Sequence, residues 1–394
     1  MLSQDHTMNR SWAEIDLDAI RQNVRALRSH VWKNTEIMAV VKADAYGHGA
    51  LGIADTLLQN GASRLAVATL EEGLDLRRHG VQAPILILGY TDPARAQDVV
   101  KYQLAQTLYT RELAEALERS AAYLGRITDV HLAVDTGMSR LGLPYGPEGL
   151  DFVRFVQNLN HLNVEGAYTH FATADEDKAD YIRLQFARFM SFCERVEKLG
   201  LRIPLRHCCN SAATLRFPEM HLDMVRAGLL LYGYLPEHCE AYARDFRPAL
   251  SLKAKLIRVT TVEPGMGVSY NRRYVCAEPT RVATVPIGYA DGYSRAMSGK
   301  ADVLIAGQRC PILGNICMDT CMAAAPDNAD LSVASEVVLI GTQASPNGPV
   351  SVTADDLARW SGSISYEILT AISPHIPRFY FREGRLADAR PALR

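Results

Sequence analysis

The sequence predicts a (β/α)8 barrel followed by a mainly antiparallel β domain. Between residues 37 and 235, eight short, nearly continuous apolar runs alternate with longer amphipathic stretches, the pattern of strands buried on both faces and joined by helices. None of those runs is followed by a GxGxxG turn, which favours the barrel over a doubly wound dinucleotide-binding sheet. After Arg247 the texture changes to strand-like runs broken by Gly, Pro, Asn and Asp. The boundaries drawn on this basis are 14–246 for the barrel and 247–394 for the β domain, with residues 1–13 packing with the latter.

The barrel strands are expected at IMAVV (37–41), RLAVAT (64–69), PILILG (84–89), LAQTLY (104–109), VHLAV (130–134), VEGAYT (164–169), PLRHCC (204–209) and MVRAGLLL (224–231). Helices between them announce themselves by acidic starts and glycine stops, as in EEGLDLRRHG and ADYIRLQFARFMSFCERVEKLG. In the second domain the strands lie within ALSLKAKLIRVTTVEPG, TRVATVPIGYADGY, KADVLIAGQRCPILG and SEVVLIGTQ. ADDLARW alone reads there as a helix.

Composition narrows the function. Of 394 residues, 48% are hydrophobic, and 42 basic against 44 acidic side chains leave a net charge of −2. That balance predicts no nucleic-acid partner and no anionic membrane surface. No run reaches the roughly 18 apolar residues of a membrane span. The polar opening MLSQDHTMNR lacks a secretory h-region, and Met8 is an equally good start. Eight cysteines without a CxxC pair read as reduced thiols of a cytoplasmic protein, with no metal site.

Chemistry-bearing residues cluster at the ends of the predicted barrel strands, where barrels of this kind place their catalytic groups. Lys42 ends a strand in AVVKADAYGHG; desolvation there disfavours its ammonium form and leaves an amine able to act as nucleophile or base. A lysine snorkelling to the rim is the plainer alternative. Strand five leads to Arg140 in VDTGMSRLG, a planar fork suited to a carboxylate. Strand six leads to His170, strand seven to Asn210 and Ser211, and strand eight carries Arg226 and then Gly228. Singly, His170 reads as a core histidine and Ser211 as a helix N-cap. Together, a Lys, Arg, His and Ser set fits an anionic, phosphorylated ligand bearing a carbonyl. In the second domain, Tyr270, Tyr289, Tyr293, Met318 and Asp319 read as sheet-edge and turn residues.

Over almost its whole length the chain resembles the alanine racemases, through AVVKADAYGHG, VDTGMSRLG, THFATAD, NSAATLR, VRAGLLLYG, VSYNR, IGYADGY, CMD and SYEILT, in the family's order and from both domains. The resemblance implies pyridoxal 5'-phosphate held on Lys42, with its phosphate at Tyr46, Ser211, the Gly228 and Leu229 backbone, and Tyr366. Asn210 lies in the same cofactor loop. Arg226 would donate to the pyridine nitrogen and, being unable to give up its proton, would leave the cofactor a weak electron sink that discourages transamination. His170 would stack on the ring or bridge Arg226 to Tyr270, a cationic network that would lower the tyrosine's pKa from about 10. Arg140 and the Met318 backbone would hold the substrate carboxylate. Lys42 and Tyr270 would be the opposed bases that interconvert L- and D-alanine, the latter isomer serving peptidoglycan. Tyr270, Met318, Asp319 and Tyr289, with Cys317 beside them, would come from the second subunit of a homodimer with shared active sites.

Three departures from the family pattern stand out. Ala133 occupies the place of a carbamylated lysine, so Arg140 would need another support, such as a bound anion. Arg226-Ala227-Gly228 replaces Arg-Pro-Gly. Asn315 stands for an entryway arginine and is expected to alter substrate access. Rival readings are a decarboxylase of the same architecture, which would place a glutamate where Arg226 stands, a non-catalytic cofactor carrier, which would lack the β domain, and a serine racemase or broader small-amino-acid racemase of the same fold.

Overall fold

Eight parallel strands lie on the eight apolar runs: Glu36–Val40, Arg64–Val67, Ile85–Ile87, Ala105–Leu108, Thr128–Asp135, Leu162–Tyr168, Leu205–His207 and Met224–Ala227. The computed structural model describes residues 9–390. Neighbours in the chain are neighbours in the sheet, and the last strand returns to pair in parallel with the first, Arg226 opposite Met38. The seam between the seventh and eighth strands is closed by two backbone hydrogen bonds, Arg226 N to Cys209 O (2.9 Å) and Asp223 N to Arg206 O (3.1 Å). A doubly wound sheet would leave its outer strands unpaired with one another. This is a nearly closed barrel, as the missing GxGxxG turn suggested.

The helices form for visible local reasons. Leu70–Arg78 starts on a capping box, in which Thr69 Oγ1 accepts from Glu72 N while Glu72 accepts from Thr69 N. The longest, Asp180–Lys198, buries Ile182, Gln185, Phe189, Phe192 and Val196, a stripe at three- and four-residue spacing along one side of the helix.

Contacts divide the chain into two compact units. One is the barrel, Ala19–Ala45 with Ile53–Pro248. The other takes, of the described residues, 9–18, the short stretch Tyr46–Gly52, and 249–390. Within this second unit the main sheet runs in the order Gln308–Pro311, Asp302–Ile305, Glu336–Gln343, Leu250–Lys255, Ser11–Asp16, Arg378–Arg382 and Arg385–Arg390. Every ladder in it is antiparallel except that between Ser11–Asp16 and Arg378–Arg382. A smaller antiparallel sheet joins Arg258–Val262, Thr280–Val285 and Cys321–Ala324.

One expectation fails here. Beyond Ala354–Ser361, which covers ADDLARW, the SYEILT segment is also helical, Ser365–Thr370. Gly362 in the left-handed region ends the first helix, and Ile364 returns to an extended conformation before the second begins. Six residues are too few to show a helical period, so only the buried pair Ile368 and Leu369 marks the inward face.

Candidate active site

At the mouth of the barrel, Lys42 follows the first strand and opens a turn of unusual hand. Ala43, Asp44, Ala45 and Tyr46 all have φ between 50° and 54°, a left-handed run that costs roughly 1–2 kcal/mol per residue. Ala45 N still reaches Val41 O at 2.8 Å, so the chain reverses tightly around the lysine. What holds this turn from the barrel side is Glu72. One carboxylate oxygen accepts from Ala43 N (2.6 Å) and the other from Ala68 N (2.7 Å). Burial lowers the pKa of Lys42, the positive charges of Arg140 and Arg226 lower it further, and Glu72 partly opposes them. The amine is therefore poised toward its neutral form.

Arg226 is the best-connected group of the site and is 4% exposed. Its Nη1 donates to His207 Nδ1 (3.0 Å) and His207 O (3.0 Å). Its Nη2 donates to Thr169 O (2.8 Å), His170 Nδ1 (3.1 Å) and Cys208 O (3.2 Å). A guanidinium has five N–H groups, and the four on Nη1 and Nη2 are engaged. The fifth, on Nε, has no hydrogen-bond partner among the described residues. The guanidinium also lies 5.0 Å from the centre of the Tyr168 ring. The imidazole of His170 is held neutral: burial, then Arg226, Arg140 and Lys42, push its pKa well below the usual range. The cationic network expected from the sequence is thus cationic at Arg226 and not at His170.

The loops add backbone and hydroxyl groups. Asn210, not Ser211, caps the helix Ser211–Arg216, its Oδ1 accepting from Ala213 N at 3.0 Å. Ser211 is left to accept from Gly228 N (3.0 Å), which ties the seventh and eighth strand ends together. Leu229 opens a 3-10 turn directly after Gly228. In the loop after the fifth strand, Asp135 Oδ1 accepts from Gly137, Met138 and Ser139 N at 2.9–3.1 Å. Arg140, at its end, is exposed and makes no hydrogen bond among the described residues. Ala133, 2% exposed, has only a methyl to offer it.

The second unit carries the rest of the expected set. Tyr46 and Tyr366 stand with ring centres 6.0 Å apart, and burial followed by Tyr366 pushes the Tyr46 hydroxyl pKa up. Gly47, which follows, is required twice over. Its φ is +78°, and a Cβ there would lie 2.2 Å from Leu369 O. Tyr270 is 70% exposed on a short turn between left-handed Ser269 and Asn271. Asn315 braces that turn: buried, it donates from Nδ2 to Tyr270 O (2.9 Å) and accepts at its own carbonyl from Ser269 Oγ (2.5 Å). The structure so gives Asn315 a place beneath the turn that holds Tyr270. Tyr289 N and Ala290 N donate to Cys317 O and Met318 O (both 3.0 Å), fixing the CMD loop against IGYADGY. Met318 and Asp319 are exposed beside Cys317.

Residues that the motifs did not single out complete the barrel site: Glu72, Tyr168, His131, His207 and Glu165. For all but Tyr168 the common signal is a charged or imidazole side chain inside an otherwise apolar strand or at a helix start, where burial demands a partner.

Comparison with known proteins is consistent along the whole chain. The family profile described as "Alanine racemase, N-terminal domain" matches residues 15–236, and "Alanine racemase, C-terminal domain" matches 249–380. The alanine racemase of Clostridium tetani is 40% identical over 381 residues, 96% of this chain and 97% of that one. The solved alanine racemase of Clostridium difficile 630 superposes with a TM-score of 0.92 at 37% identity, covering 98% of this chain and 99% of that one. That of Bacillus anthracis with bound L-Ala-P gives a TM-score of 0.90 at 36% identity, covering 97% and 98%.

Proposed function

This chain belongs to the alanine racemase family, and on that premise we propose that it interconverts L- and D-alanine with pyridoxal 5'-phosphate held on Lys42, using Lys42 and Tyr270 as the two bases. Arg226 carries the reading. A buried guanidinium with four donors engaged and Nε–H unpartnered suits a neutral ring nitrogen. A decarboxylase would need a carboxylate there. The Lys42 amine, lowered by burial, suits a carbonyl ligand. When bound, the cofactor withdraws electrons from the substrate's α-carbon and so acidifies its proton.

The chain's own groups do the remainder. Tyr46, Ser211, the Gly228 and Leu229 backbone and Tyr366 would hold the phosphate, the Gly228 N–H exchanging its bond to Ser211 Oγ for one to the phosphate, with Asn210 shaping the loop beside them. Arg140 and the Met318 N–H would grip the substrate carboxylate. Lys42 Nζ would move the proton on one face and Tyr270 Oη on the other, while His170 stays neutral between Arg226 and Tyr270. D-alanine so made serves the cell wall. We further assign Tyr270, Met318, Asp319, Tyr289 and Cys317 to the site of a second copy of the chain. Tyr270, Tyr289, Met318, Met266 and Val275 are exposed on the β unit, with the Tyr289 and Met318 loops hydrogen-bonded to each other and Met266 beside Val275. Monomers seldom leave such side chains together in water, which favours that arrangement. Among the described residues no helix is long and apolar enough to cross a membrane.

The test is covalent. Purified protein should be yellow, and borohydride should fix the cofactor on the peptide that contains Lys42. Recovery of the label on another lysine would sink the assignment.

A further inference from the structure

Behind Arg226 a line of hydrogen bonds runs the length of the barrel interior. Arg226 Nη1 meets His207 Nδ1 at 3.0 Å, and His207 Nε2 meets His131 Nδ1 at 2.8 Å. His131 Nε2 meets Glu165 Oε2 at 3.0 Å, and Glu165 Oε1 accepts from Arg64 Nη1 at 2.8 Å. Arg64 Nε then donates to Glu36 Oε2 at 2.9 Å. Glu36 and Arg64 open their strands and Glu165 lies at the middle of its own, while His207 and Arg226 lie toward the carboxyl ends. Both imidazoles are fully buried.

The chemistry of the two end groups fixes every proton between them. A guanidinium only donates, so His207 Nδ1 must accept, and the neutral ring carries its proton on Nε2. That proton points at His131 Nδ1, which accepts, so His131 carries its own on Nε2 and gives it to Glu165. A doubly protonated His131 would force a proton onto His207 Nδ1, against the N–H of Arg226. Burial, then Arg226, hold the pKa of His207 well down, in keeping with a neutral ring. Burial pushes the Glu165 carboxyl up, but His131 and Arg64 outweigh it and keep it ionised.

We infer that Glu165, acting through His131 and His207, is a positioning residue for Arg226: its carboxylate selects the tautomers that give Nη1 an acceptor and leave Nε–H available to a ring nitrogen. The inference rests on the proposed pairing of Arg226 with the cofactor. Glutamine at this place should reverse the line. Arg64 can only donate, so the amide oxygen of the new side chain turns to Arg64 and its NH2 faces His131 Nε2. His131 then carries its proton on Nδ1, His207 follows, and two N–H groups meet at Arg226.

The experiment is 15N NMR of histidine-labelled holoenzyme without substrate, for the wild type, Glu165→Gln and Glu165→Asp. The wild type and Glu165→Asp should show both rings protonated at Nε2, and Glu165→Gln should show protonation at Nδ1 of His131. With alanine present, the share of turnovers lost to pyridoxamine phosphate should rise about tenfold in Glu165→Gln, as expected for one lost hydrogen bond to a charged group, and Glu165→Asp should restore it. Unmoved tautomers in Glu165→Gln, or a reversal in Glu165→Asp as well, overturn the inference. The tautomers are read without substrate, so that failure leaves the reading of Arg226 standing. A wild-type protein that does not bind the cofactor would instead remove both.

Discussion

Replacing Glu72 by alanine should disturb Lys42 without touching it. The carboxylate holds the left-handed turn through Ala43 N at 2.6 Å and anchors the neighbouring loop through Ala68 N at 2.7 Å. Hydrogen bonds to a charged group contribute about 1.5–3 kcal/mol each. Water replaces part of the exposed bond to Ala43, so the expected loss is about 2–4 kcal/mol. In a unit of this size that lowers Tm by roughly 5–15 °C. A second effect has its own sign. Burial, Arg140 and Arg226 lower the pKa of Lys42 and Glu72 raises it, so removing the carboxylate lets it fall further. The pH midpoint at which the apoprotein captures pyridoxal 5'-phosphate should therefore move to lower pH. Glu72→Gln separates the two effects, recovering part of the Tm through its remaining acceptor while keeping the shifted midpoint. Thermal melts of the apoprotein and the pH dependence of cofactor capture provide the readouts. A Glu72→Ala protein with Tm and midpoint both unchanged would refute the assignment of Glu72 as the clamp of this turn.

Three other outcomes are expected. Mixing inactive Lys42→Ala and Tyr270→Phe chains should restore activity, because one site of each heterodimer would receive both intact bases; no recovery after re-equilibration, with wild-type mixtures active, would rule out shared sites. Activity should be indifferent to carbon dioxide removal, since Ala133 cannot carry a carbamate; a modified lysine from elsewhere lying beside Arg140 would contradict this. Alanine should be preferred over serine by roughly 100-fold in kcat/KM, because an apolar pocket rejects an added hydroxyl only weakly. Tyr366→Asn should narrow that ratio mainly by improving serine, whereas equal values on the unmodified enzyme would show that Tyr366 is no gate.

The barrel was legible because its strands are apolar on both faces, and even the weakest runs, 104–109 and 204–209, are strands. The strand Ser11–Asp16 was harder to place, because its partners at Leu250–Lys255 and Arg378–Arg382 lie hundreds of residues away. Local pattern named Lys42 but not its support. The turn Ala43–Tyr46 uses no glycine, and Ala and Tyr ordinarily avoid positive φ. Its clamp, Glu72, reads in sequence as nothing more than the third residue of a helix start. His131 and His207 sit inside the apolar runs VHLAV and PLRHCC, where a buried imidazole is the visible sign and its partner is not. Asn315, taken from sequence as a change at the entrance, is 3% exposed and donates to Tyr270 O, a role that the sequence did not show. Charge state was the other blind spot: whether His170 is cationic depends on its burial and then on Arg226, Arg140 and Lys42, which only the fold brings together.

Optical rotation of pure L-alanine over purified protein and pyridoxal 5'-phosphate bears most directly on the central claim. The rotation should decay to zero and stop there, D-alanine should reach the same end point from the other side, and Lys42→Ala supplied with the cofactor should hold the starting value. A wild-type protein that binds the cofactor on Lys42 yet leaves the rotation of L-alanine unchanged would contradict a two-base racemase.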